Sequence, residues 1–328
     1  MISKFNKILI IILIIVFLTF ITLLLTIFLK SNKPQINKLT NNKPFSIIVL
    51  PDTQKYSKYH PKIFINQTKY IVENKDNLNI KHVIHLGDIV DDSDNLTQWN
   101  YANNAIQILE YNNISFSIIP GNHDYNKDNY KNYDFFFSNE RFNKKSWFGG
   151  NFNNYRNNYA LLNIYNKNYL FLNLNMCPNK SEIDWANNVT NKYKDYFTIL
   201  STHAFLDSKD PPKRQPHICK DTEYIYNDLI KPNKNIRLVL SGHVHAERKR
   251  TDINDHNLPV HQLLADFQDE KQGKSGYLRI MQFSSDQNTI NIQTYSPYLN
   301  IYKTGPQSEF TLDVAEHNSL NSYFSWFW

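Results

Sequence analysis

The chain has 328 residues, of which 41% are hydrophobic, 14% aromatic and 20% charged. That length fits one large domain or two small ones, and this much apolar material excludes global disorder. Eight glycines exclude a collagen-like repeat, and two cysteines exclude both a disulfide-framed scaffold and a cysteine-rich zinc module. The net charge of +6 is local: Lys4, Lys7, Lys30, Lys33, Lys38 and Lys43 supply it, with no Asp or Glu among residues 1–43. The remainder sums to about zero, so it carries no global basic field, and no nucleic-acid partner is expected.

After a short flank at 1–7, residues 8–29 carry no charged side chain. As a helix they would rise about 33 Å, enough to cross a bilayer's hydrocarbon core. An uncleaved anchor is preferred to a signal peptide, because no small-residue cleavage site follows Leu29. The expectation is a transmembrane helix at 8–29 that partners the lipid bilayer, then a polar linker at 30–44. Sequons at Asn66, Asn95, Asn113, Asn179 and Asn188 suit an exported body. The lysines flanking the span favour the opposite orientation. The reading leans to a single-pass membrane protein with its body on the extracytoplasmic side.

The body opens with an apolar run at 46–50, closed by Pro51-Asp52. A second strand at 81–86 ends at Gly87-Asp88, and a third at 116–119 ends at Pro120-Gly121. Helices are expected at 61–78 and 95–112. This β-α-β-α-β rhythm predicts a parallel sheet with helices on its faces. A hairpin follows at 159–175, and a helix at 181–194 starts on a capping-box-like Ser181-x-x-Asp184. Strands at 197–200 and 236–240 lead to His203 and Gly242-His243. Stretches at 260–264, 276–283 and 289–295 read as antiparallel strands.

Five times an apolar strand ends and Asp, Asn or His follows. In open α/β sheets the loops beyond the strands' carboxyl ends form the ligand crevice. The ordered set is Asp52-x-Gln54, Gly87-Asp88-x-x-Asp91, Gly121-Asn122-His123-Asp124, His203 and Gly242-His243-x-His245. It mixes carboxylate oxygen, amide oxygen and imidazole nitrogen without thiolate, which suits Mn, Fe or Zn. A carboxylate can bridge two cations, and such a pair clamps a phosphoryl group and acidifies a water between them. The glycines let the backbone turn sharply at the strand ends. Each motif alone is a weak signal; all of them, in order and each behind an apolar strand, are not.

These motifs resemble the calcineurin-like metallophosphoesterase superfamily over about residues 46–300. The resemblance is nearest to a subgroup with a PDTQ start, and the segments 263–268, 276–279 and 294–297 look like that subgroup's late strands. It implies an α/β fold, a four-layer α-β-β-α sandwich over residues 45–305, followed by a C-terminal tail at 306–328. It implies two divalent metal ions. Asp52, Gln54, Asp88 and His245 would hold the first, while Asp88, Asn122, His203 and His243 would hold the second. His123 would donate a proton to the leaving group, with Asp124 orienting it. The superfamily more often has His where this chain has Gln54, a weaker donor. The expected activity is a membrane-anchored phosphoesterase, in which a metal-bridging hydroxide attacks a phosphoric mono- or diester. The alternative is a non-catalytic, membrane-tethered binding module with a degraded first metal site.

Other residues have plainer readings. His85 reads as buried and hydrogen-bonded, His261 as a core or rim residue, and Trp99, Trp147 and Trp185 as core. Asp91 is assigned to its own turn. Lys213 and Arg214 read as a solvated face. Cys177 and Cys219 can pair if the body is exported.

Overall fold

The computed structural model describes residues 13, 15–24, 42–127, 129–219 and 222–316. By its contacts the chain divides into residues 1–41 and 42–328.

In the first unit, residues 15–24 are helical with exposed apolar side chains. Ten residues rise about 15 Å, half of the roughly 30 Å hydrocarbon core. Among the described residues no helix is long and apolar enough to cross a membrane. The expected span at 8–29, and the single-pass membrane localisation built on it, are corrected accordingly. Positions 8–12, 14 and 25–29 of that span lie outside the described residues, as do 1–7, linker positions 30–41 and tail positions 317–328.

Among the described residues the second unit holds fourteen strands. They are β1 Phe45–Leu50, β2 Ile80–His85, β3 Phe116–Ile118, β4 Phe148–Phe152, β5 Asn157–Ile164, β6 Lys167–Leu174 and β7 Phe197–Thr202. The rest are β8 Ile236–Ser241, β9 Glu247–Ile253, β10 Pro259–Ala265, β11 Leu278–Phe283, β12 Thr289–Ser296, β13 Ile301–Lys303 and β14 Phe310–Asp313. They form two seven-stranded mixed sheets. One runs β13-β12-β11-β1-β2-β3 with β14 on β12, and the other runs β4-β5-β6-β7-β8-β10-β9. In the first, β1, β2 and β3 are mutually parallel. In the second, β6, β7, β8 and β10 are parallel.

Period-two alternation decides which face each side chain joins. Tyr169 and Phe171 of β6, Ile199 of β7 and Leu238 and Leu240 of β8 pack in one core with Phe45, Ile47 and Phe283 of the other sheet. Tyr169 meets Phe45 and Phe283 edge-on, with ring centroids 5.7 Å apart in both pairs. Their alternating neighbours, Leu170, Leu172, Leu200 and Val239, point the other way, against Ile183, Ala186 and Val189 of the helix Lys180–Lys192. These strands read as unbroken apolar runs because both their faces are covered. The helices Pro61–Glu73 and Leu96–Tyr111 pack together beside the first sheet.

Local chemistry sets the ends. Asn95 caps Leu96–Tyr111 by accepting from the Thr97 and Gln98 N–H groups. The helix expected at 61–78 stops at Glu73, and residues 74–79 turn back so that the Ile80 N–H meets the Lys75 carbonyl at 2.8 Å. The capping box of Lys180–Lys192 is Asn179 with Glu182, two residues before the expected Ser181-x-x-Asp184. Glu182 is the buried partner: its Oε1 accepts from Asn157 Nδ2 at 2.7 Å. Strand β9, not anticipated, is a charged run (ERKRTDI) at a sheet edge, where charge blocks further pairing.

Candidate metal centre

Every candidate residue follows the carboxyl end of a parallel strand. Asp52 and Gln54 follow β1, Asp88 follows β2, and residues 121–124 follow β3. His203 follows β7, and His243 and His245 follow β8. The two sheets bring these ends to one edge. Asp88, His203 and His243 place one ligand atom each within 4.8 Å of one another, a group that can hold a metal ion. Asn122 Oδ1 joins them at 3.1 Å from His203 Nε2. Asp52 is adjacent: its Oδ1 lies 3.7 Å from His203 Nδ1 and accepts from the His243 N–H at 3.2 Å. Asp88 and His243 hold positive φ values of 50° and 70°, rare for residues with a side chain.

The glycines have a use beyond turning. Gly87, at φ +95°, does allow a left-handed turn. Gly121 and Gly242 instead leave room for carboxylates. A Cβ on Gly121 would lie 2.2 Å from Asp88 Oδ1, and one on Gly242 would lie 2.2 Å from Asp52 Oδ2.

His203 is set up as a ligand. Its Nδ1 faces the Leu86 carbonyl oxygen at 2.9 Å. A carbonyl only accepts, so Nδ1 carries the proton and Nε2 is directed at Asn122 and Asp88. Burial disfavours its charge, but Asp88, the Leu86 carbonyl and Asp124 together outweigh burial and raise the imidazole above its ordinary value. Burial likewise resists ionisation of Asp88, yet His203 holds that carboxyl at about 2. Burial lowers His243 to about 4, with the charge on His203 acting the same way.

The remaining groups are less expected. Burial pushes Asp52 well above the usual carboxylate range, and Asp266 and Asp88 add to that push. Gln54 is 2% exposed, and its Oε1 is a buried oxygen without a hydrogen-bond partner among the described residues. Such an orphan acceptor fits a cation. His245 is turned aside: half-exposed, it holds Asp269 Oδ2 at 2.7 Å through Nδ1. It is not among the three residues that cluster within 4.8 Å.

The orientation of His123 differs from expectation. Its Nδ1 donates to the Asp91 carbonyl oxygen at 2.9 Å, and its backbone N–H donates to Asp88 Oδ1 at 3.0 Å. The Asp124 carboxylate instead accepts from the Ile89, Val90 and Gly121 N–H groups, which ties the loops after β2 and β3 together. Burial, with Asp88 nearby, raises Asp124 to about 7. Asp91 has its own anchors, with Lys55 and Lys58 on its carboxylate and Gln98 Oε1 on its N–H.

Asp266, after β10, is a further buried carboxylate outside the expected ligand set. The signal was present: the segment Leu263-Leu-Ala-Asp266 repeats the pattern of apolar strand followed by a polar residue. His85 is a buried structural group that hydrogen-bonds Thr53, and burial lowers it to about 3. Arg214 is buried against Gln262, Glu223 and Asp252, not solvated. Cys177 and Cys219 form a disulfide that packs with Met176, Ala204 and Tyr125 beside His203.

Comparison with known proteins accords with this geometry. The chain is 36% identical over 284 residues to the uncharacterized protein YvnB of Bacillus subtilis (strain 168), covering 82% of this chain and 22% of that protein. The chain thus spans about a fifth of that relative's length. Its fold is similar to that of purple acid phosphatase PPD1 from yellow lupin (TM-score 0.55, 11% identity, 84% of this chain and 54% of that one). It is also similar to GAP50, the anchor in the inner membrane complex of Plasmodium (TM-score 0.52, 13% identity, 84% and 90%). At such identities these two likenesses speak to the fold alone. The family model described as calcineurin-like phosphoesterase matches residues 45–247. With two mixed sheets and a ligand cluster at their common edge, the chain belongs to the calcineurin-like phosphoesterase family.

Proposed function

We propose that this chain hydrolyses phosphoric mono- or diesters with two divalent cations. The observation that carries the reading is the convergence of Asp88, His203 and His243, ligand atoms within 4.8 Å, with Asn122 at their side. Asp88, Asn122, His203 and His243 would hold one cation. Asp52, Gln54, His245 and Asp88 would hold the other, with His245 swinging in from Asp269. Oxygen and nitrogen donors without thiolate suit Mn, Fe or Zn. Bound there, such ions supply Lewis-acid polarisation of phosphoryl oxygens and activation of water.

The chain's own groups do the rest. His203, with its Nδ1 proton fixed on the Leu86 carbonyl, offers a defined Nε2. His123, with Nδ1 fixed on Asp91, has Nε2 as the atom that delivers a proton to the departing alkoxide. Asp124 keeps the loop bearing Asn122 and His123 in register with the loop bearing Asp88. The test is nitrophenol release from mono- and bis-nitrophenyl phosphate, with Mn added and after chelation. Asp88→Asn and His203→Ala should each abolish Mn-dependent release, and His123→Ala should lower turnover without removing bound Mn. Rates unchanged in all three would refute the reading.

A further inference from the structure

Asp266 lies beyond the residues 45–247 matched by the family model. Its side chain is 2% exposed. Its backbone N–H donates to the Ala246 carbonyl at 3.0 Å, which fixes it to the loop carrying His245. Its Oδ1 accepts from the Gln268 N–H and its Oδ2 from Gln268 Nε2, both at 2.9 Å. The same Oδ2 lies 3.7 Å from His245 Nε2. A buried carboxylate held against a candidate ligand, His245, is costly unless a cation compensates. A second, independent feature belongs to the same assigned cation position: the buried Oε1 of Gln54, without a partner among the described residues and two residues from Asp52. An uncharged amide oxygen adds no charge of its own, so the ion there depends on the anionic groups around it.

We propose that Asp266 is an additional anionic group of the first cation position, acting with Asp52 to hold a divalent ion that Gln54 alone holds weakly. It also keeps His245 within reach, since the ring lies between Asp266 and Asp269. The inference rests on the two-cation reading above.

The test is equilibrium dialysis of the full chain against Mn alone, with bound metal counted by mass spectrometry and folding followed by thermal melting. The unaltered chain should bind two ions. D266N, nearly isosteric, should bind one tightly, with the second weakened about 10–100-fold. Q54H in the D266N background should restore much of the loss, because imidazole is the stronger donor. Fewer than two ions on the unaltered chain would sink the two-cation reading, and this inference with it. Two ions on both chains, with affinities within about threefold, would overturn the role of Asp266 and leave that reading standing. Asp266→Ser is a second neutral variant; loss of folding in both variants would assign the carboxylate to folding and overturn the proposal.

Discussion

Gly121→Ala isolates the packing around the candidate ligands. The added Cβ would lie 2.2 Å from Asp88 Oδ1, 2.4 Å from the Asp88 backbone nitrogen and 2.8 Å from His203 Cε1. Ordinary contacts between such atoms begin near 3.4 Å, so all three neighbours must move. Asp88 is 1% exposed and its backbone nitrogen belongs to a left-handed residue, so it has little room to retreat. Overpacking of this kind costs about 1–3 kcal/mol, and a backbone clash argues for the upper end. The φ of −104° suits alanine, so the stiffer unfolded chain returns about 0.4–1 kcal/mol. The expected net loss is about 2 kcal/mol in urea unfolding, with a clear loss of Mn affinity by titration calorimetry. Gly242→Ala is the graded comparison, because the three atoms nearest its Cβ all belong to the Asp52 carboxylate and none to a backbone. It should cost about 1 kcal/mol and weaken Mn binding more than folding. A Gly121→Ala chain that unfolds within about 0.5 kcal/mol of the parent and binds Mn as tightly would defeat the packing argument.

Two further outcomes follow from other parts of the fold. The Cys177–Cys219 disulfide closes a loop of 42 residues, so replacing both by Ser should cost about 4 kcal/mol by chain entropy, read from denaturation curves; equal curves would show that the bridge constrains little. Asp124, raised to about 7 by burial, holds its proton in the folded chain at pH values where the unfolded carboxyl has lost it. Its contribution to stability therefore falls as pH rises from about 4 to about 7, and the slope ends near pH 7. Between pH 5.5 and 8, in chelator, the parent should lose about 2 kcal/mol more than Asp124→Asn, which cannot ionise. Parallel pH profiles would remove that explanation.

Much of this architecture is legible in the residues. Interior strands such as β1, β6, β7 and β8 are buried on both faces and so read as plain apolar runs. The loops after them carry the motifs, and it is the family resemblance of those motifs that groups Asp88, Asn122, His203 and His243. Edge strands were harder: β9 has polar side chains on both faces, and among the described residues it pairs only with β10. Tertiary space was not legible. Gly121 and Gly242 look like turn residues, whereas their use is the room they leave for Asp88 and Asp52. His123 takes the Asp91 backbone carbonyl as its partner, not the Asp124 carboxylate, and that choice depends on which loop lies closer. Arg214 looked like surface charge; its partners Asp252 and Gln262 come from β9 and β10, far along the chain.

The charge at the sheet edge leads to one last consequence. Asp52, Asp88, Asp124 and Asp266 are each 2% exposed or less, in a body whose formal charge is near zero. Four buried negative charges together are costly, so protons stand in for cations. Asp52 is raised well above its usual range, Asp124 to about 7 and Asp266 to about 6, in each case chiefly by burial. His203 is raised as well, through Asp88, the Leu86 carbonyl and Asp124 against the effect of burial. A divalent cation entering this space makes each of those protons unfavourable, so they must leave. Titrating Mn into the metal-free chain at pH 6.5, in buffers of different ionisation enthalpy, should show release of about one proton or more per chain. The release should shrink toward pH 8.5, where Asp124 and Asp266 have already lost theirs. Binding heats independent of buffer at pH 6.5 would mean that these carboxyls are charged without the metal, and the compensating positive charge would have to come from elsewhere in the fold.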